Sequence, residues 1–158
     1  MRTYTAVLFT NADGSHTARV PALSREGREC QAQGRTRAEA LEKAAEAAAG
    51  LLADDARAGR PMLRQEWPPV RTVHVLDPRR GGTIPYVVCV ERDAESRYRV
   101  TPVLFPELQG TSASVEEALE RVGPLIFQHL TLLVSQGKGF PVQDDPQAYM
   151  ISVREPDL

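Results

Sequence analysis

Nothing in the 158 residues is long and apolar enough to cross a bilayer: the longest apolar stretch, Leu125 to Val134, is broken by Gln128, His129 and Thr131. Nor does a basic segment followed by an apolar one open the chain, so the expected location is cytoplasmic, with no membrane partner. Cysteine is scarce. Cys30 and Cys89 show no framework spacing, which points to reduced, buried thiols rather than a disulfide. The histidines His16, His74 and His129 never share a short ligand spacing, so no metal site is expected, and no motif demands a cofactor. Lysine is reduced to Lys43 and Lys138, the other basic residues being arginine; genome base composition explains that bias more simply than a need for bidentate pairing.

What remains is ordinary globular composition, 42% hydrophobic and 25% charged, enough for one medium domain or two small ones. Disorder, collagen and a coiled coil are thereby disfavoured. The formal charge of −2 gives no global drive toward nucleic acid or acidic membranes. Residues 1–80 carry 13 basic and 10 acidic groups and residues 81–158 carry 6 and 11, a mild asymmetry that orients a partner without naming one.

The chain is written twice. Tyr4-Thr-Ala-Val-Leu-Phe, running to a turn at Asp13-Gly14, is echoed by Tyr86-Val-Val-Cys-Val-Glu and a turn around Asp93 to Ser96. His16, Ala18 and Val20 alternate toward Pro21-Ala-Leu23, as Tyr98, Val100 and Pro102 do toward Pro106-Glu-Leu108, so each half opens with two strands. Thr36-Arg-Ala-Glu39 and Ser114-Val-Glu-Glu117 stand 78 residues apart, and each is the capping box that opens a helix. Gly59-Arg60 and Gly137-Lys138 keep the same offset, with Pro61 and Pro141 soon after, which is helix stop chemistry. Val73 and Val75 match Ile151 and Val153, so each half is expected to close with a strand of its own.

The expected unit is strand, strand, a short third strand around Cys30 to Gln33, helix, strand, repeated once. The fold class is α+β: two tandem βββαβ units, each a small antiparallel sheet carrying one helix, arranged as a pseudo-dimer. Asp77 to Pro85 has turn and linker composition, which places unit 1 at 1–79, a linker at 80–85 and unit 2 at 86–158. A unit this small has a marginal core alone, so the halves are expected to pack together.

The helices differ. The first, about Arg37 to Ala56, carries Leu41, Ala45, Ala48 and Leu52 as an apolar stripe. In the second, Leu125, Ile126, Phe127, Leu130, Leu132, Leu133 and Val134 point all round the axis, which requires cover on every side. Pro124 is expected to kink or restart that helix.

Tyr4 to Asp13-Gly14, Val20-Pro-Ala-Leu23, Cys30-Gln-Ala-Gln-Gly34-Arg-Thr36, Glu39-Ala-Leu41 and Gly59-Arg-Pro61 together resemble the HicB antitoxin family. The second copy resembles it more weakly, through Tyr86, Pro106-Glu-Leu108, Gly110, Ser114-Val-Glu-Glu-Ala-Leu119 and Gly137. The first copy departs by an insertion at residues 24–28, about four residues longer than the family's usual spacing. The resemblance implies a unit similar to a degraded ribonuclease H fold without its catalytic carboxylates. It further implies a non-enzymatic role: masking a small, basic, RNA-cleaving toxin. The family's C-terminal DNA-binding domain has no counterpart after the last strand, so no DNA partner is expected.

A nuclease would need convergent carboxylates, whereas Asp13, Glu39 and Asp93 are accounted for by turns and a cap. Cys30 with His16 is a conceivable thiol–imidazole pair, with no orienting base in view. Arg57, Arg60 and Arg64 near the first helix end are a candidate RNA contact, although cations also suit a helix C-terminus through its dipole. The candidate partner-binding residues are Phe127, Leu130 and Val134, with Trp67 as a secondary anchor. The expected function is an antitoxin-type or protein-binding module; the alternatives are a self-associating structural module or a weak RNA-binding protein.

Overall fold

The computed structural model describes residues 1–24, 28–63, 69–93, 95–141 and 148–156. Eight strands and two long helices follow in the order β1 (Arg2–Thr10), β2 (His16–Arg19), β3 (Gln31–Gly34), α1 (Arg37–Arg57), β4 (Val70–Leu76), β5 (Thr83–Arg92), β6 (Tyr98–Pro102), β7 (Gly110–Ser112), α2 (Val115–Ser135) and β8 (Ala148–Val153). A 3-10 turn at Pro21–Leu23 joins β2 to the segment before β3. The class is α+β, with two four-stranded antiparallel sheets and two helices.

Both helices begin and end as their repeated motifs require. The Thr36 hydroxyl accepts from the Glu39 amide at 3.1 Å, and Ser114 does the same for Glu117 at 3.2 Å. The glutamates serve neighbours as well: Glu39 pairs with Lys43, and Glu117 accepts from the Ser112 hydroxyl. At the far ends Gly59 and Gly137 take φ of 72° and 71°, and the amides of Arg60 and Lys138 return to the carbonyls of Asp55 and Leu133. This left-handed closure satisfies carbonyls that a helix end leaves open. Pro124 neither breaks nor restarts α2, which runs unbroken over 21 residues with the proline on its exposed side.

The closing strands are where the sequence reading needs correcting. The first sheet has the order β3-β2-β1-β8 and the second β4-β5-β6-β7. Thus β4, expected to close the first half, lies antiparallel to β5 with Val73 opposite Tyr86. The last strand, β8, returns to the first half and lies antiparallel to β1 with Ile151 opposite Tyr4. The repeats exchange their closing strands. Residues 80–85, read as a linker, lie in the β4–β5 hairpin: the Asp77 amide donates to the Gly82 carbonyl at 3.0 Å, and Gly81 and Gly82 supply positive φ.

Helix α1 covers one face of the first sheet through Ala40, Ala44, Ala48 and Leu52, packed on Tyr4, Ala6, Leu8 and Ala18. Helix α2 covers the second sheet through Ala118, Val122, Ile126 and Leu130, packed on Tyr86, Val88, Val90 and Val100. The repeat extends to side-chain hydrogen bonds: Tyr4 donates to the Leu63 carbonyl at 2.7 Å and Tyr86 to that of Pro141 at 2.9 Å. The opposite faces of the two sheets meet through Val7, Phe9, Cys89 and Val103. The layers are therefore helix, sheet, sheet, helix. This explains why β1 is buried on both faces from Tyr4 to Phe9 and reads as a continuous apolar run instead of an alternation.

Candidate partner-binding surface

The layering decides which side chains reach solvent. Leu130, a candidate for partner contact, is wholly buried against the second sheet and cannot present a surface. Phe127 follows the buried Ile126, about 100° further round the helix axis, and is 36% exposed, while Leu132 is 52% exposed. Val134 is half-buried. Trp67 and Arg64 lie outside the described residues, as do residues 25–27 of the insertion. Within a single chain, the outer side of α2 is thus left uncovered by the described residues.

Two further exposed apolar side chains were not anticipated from sequence: Leu76 on β4 and Met150 on β8, at 59% and 67% exposure. Both sit on the faces that the sheets turn toward each other. Those faces meet around β1 and β5, with Val70 at the start of β4 packed against the same cluster, and the rest of the exchanged outer strands lies beyond the contact. On the first sheet, strand alternation puts Thr3, Ala148, Met150 and Ser152 on this uncovered strip, all exposed. On the second it puts Thr72, His74, Leu76, Thr83 and Pro85 there, again exposed. Val75 and Val153, directed to the other faces, are buried.

The two described members of the basic cluster have acidic partners. Arg57 is ion-paired with Asp54, and Arg60 with Asp55 at 3.2 Å. Asp55 is buried and also takes Arg28 Nη1 at 2.9 Å. The hydrogen bond from Arg28, together with Arg60, holds its carboxyl below the ordinary aspartate range despite the burial. Arg28 and Arg60 thus tie the end of α1 to the segment before β3, while Arg57 pairs within the helix.

The carboxylates that a catalytic reading would need each have a local role. Asp13 sits in the β1–β2 turn and accepts from the Ser15 amide and hydroxyl, which lowers its pKa. Asp93 caps the β5–β6 turn by accepting from the Glu95 and Arg97 amides, while Glu39 stands on the first turn of α1. Among the described residues no three His, Cys, Asp or Glu side chains are grouped so as to hold a metal ion. The ladder pairs His16 with Gly34, whereas Cys30 precedes β3 and accepts from the Val20 amide. They thus lie at opposite ends of β2, separated by about 13 Å of strand, and form no thiol–imidazole pair. Burial pushes the Cys30 thiol up to about 12 and Cys89 well above its ordinary value, so both are inert thiols near neutrality.

One charged group is buried between the halves. Glu91 is fully buried, and its Oε1 lies 3.3 Å from Arg19 of the first half and 3.4 Å from Arg99 of the second. Arg99 continues to Glu29 at 3.2 Å, and the Arg19 guanidinium stacks 4.6 Å over the Phe9 ring. This chain of ions runs along the seam between the sheets and couples the two repeats. Sequence reasoning missed it, although one acidic residue directly after the apolar run Tyr86 to Val90 was a usable signal.

No helix among the described residues is long and apolar enough to cross a membrane. No family model, curated protein or solved structure matches the chain.

Proposed function

We propose that the chain is a non-enzymatic protein-binding module of the antitoxin type, built as two tandem HicB-like units in a pseudo-dimer, which acts in the cytoplasm by masking a small, basic, RNA-cleaving toxin. The observation that supports this most is the exposure of Leu76, Met150, Phe127 and Leu132 on regular elements, alongside arginines already engaged by acidic neighbours. Exposed apolar side chains on rigid strands and helices suit a protein partner. A catalytic or phosphate-binding site would need converging ionisable groups, whereas Asp13, Asp93, Glu39, Arg57 and Arg60 are each engaged in a turn, a cap or an ion pair.

The test is capture of the tagged protein's partners from native extract, with and without nuclease, followed by assay of any captured small protein for RNA cleavage. The reading expects a basic protein that survives nuclease treatment and whose cleavage is silenced on adding the chain back. A partner lost on nuclease treatment would favour the RNA-binding alternative, and a captured protein whose activity is unaffected would contradict the masking role.

A further inference from the structure

We propose that the outer edge of β8, which pairs with no other strand among the described residues, is a self-association site at which a second copy of this chain adds its own β8 antiparallel, continuing the first sheet across a two-fold axis. Four strands end the two sheets: β3, β8, β4 and β7. An edge strand presents backbone donors and acceptors on its outer side, and proteins commonly blunt such edges by shortness, charge or proline. β7 has three residues and β3 four, too few for a useful ladder. β4 is longer but carries Arg71 and His74. β8 has none of these devices. Its six residues, Ala148-Tyr149-Met150-Ile151-Ser152-Val153, contain no charge and no proline, and it is paired through all six to β1 on its inner side.

The occupant follows from the strand's own chemistry. An uncharged strand meets no like charge when it pairs with itself, and an antiparallel pair of identical strands satisfies the two-fold rule that the same patch serves both partners. Alternation fixes the parity of the register. For the apolar face of Tyr149, Ile151 and Val153 to continue as one face, odd residues must oppose odd and even oppose even. Met150 then lies opposite the partner's Met150 or Ser152, and its exposed side chain is covered. A six-strand-residue contact is small, so the association is reversible and concentration-dependent. It needs no toxin, and of the four exposed apolar side chains counted above it uses Met150 alone.

Sedimentation of the purified full chain across the micromolar to millimolar range tests this. The wild type is expected to move from monomer to dimer, and Met150→Lys or Ser152→Lys, each at an exposed position, to weaken the dimer at least tenfold with an unchanged melting curve. Phe127→Lys on α2 is expected to leave the dimer intact. A spin label at Ser152→Cys is expected to report a short interchain distance in the dimer. A wild type that stays monomeric throughout, a dimer indifferent to both lysine variants, or a dimer lost in Phe127→Lys overturns the proposal.

Discussion

Asp55 carries the clearest consequence at the scale of single residues. It closes α1 while buried, held by Arg28 and Arg60, so replacing it with asparagine removes charge-assisted hydrogen bonds and leaves Arg28 without its carboxylate. A loss of about 2 kcal/mol is expected at neutral pH from bonds of this kind, read by urea unfolding. Because the folded carboxyl titrates below its unfolded value, that stabilisation is complete above the ordinary aspartate range and fades as pH falls through the folded pKa. Wild type and Asp55→Asn should therefore converge in acid. A gap that widened on acidification would contradict the assignment. Glu91 makes a different prediction. Truncation to alanine removes the buried carboxylate that Arg19 and Arg99 share, leaving Arg99 only Glu29, and removing one member of a buried ion group costs about 3–5 kcal/mol. Its unfolding midpoint should drop far more than that of an exposed control such as Glu120→Ala.

At the scale of elements, the two sides of α2 give opposite expectations. Leu130→Ala opens a cavity in the second core and is expected to cost about 3 kcal/mol. Phe127→Asp, on the outer side, is expected to cost under about 1 kcal/mol, as surface changes usually do; thermal melts of the pair decide it, and unfolding of Phe127→Asp would place that ring in a core. The helices were legible in sequence because their ends are local chemistry. Thr36, Ser114, Gly59 and Gly137 each act within a turn of themselves, so spacing alone located both helices closely. Which side of α2 is covered was not legible, since apolar residues surround its axis and periodicity then carries no direction. The uncovered strips with Leu76 and Met150 were hidden for a related reason. Exposure there depends on how far two sheets overlap, which no single strand encodes.

At the scale of the molecule, the repeat was legible but its connectivity was not. Val73 and Val75 match Ile151 and Val153 in pattern, so each strand suits either sheet, and the partner is set by contacts far along the chain. The exchange has a physical effect. Each sheet is completed by a strand from the other repeat, so neither half can bury its full core alone, and the ion chain through Glu91 ties the same halves at the seam. Both uncovered strips and α2 then belong to one strand-exchanged unit. Cross-linking tests the exchange most directly, using cysteines placed at exposed positions while the buried Cys30 and Cys89 stay unreactive. Thr3 lies opposite Ser152 on β8, and His74 is the equivalent position on β4. A short bis-thiol reagent should therefore join Thr3→Cys to Ser152→Cys and fail to join Thr3→Cys to His74→Cys; the reverse pattern would show that each repeat keeps its own closing strand.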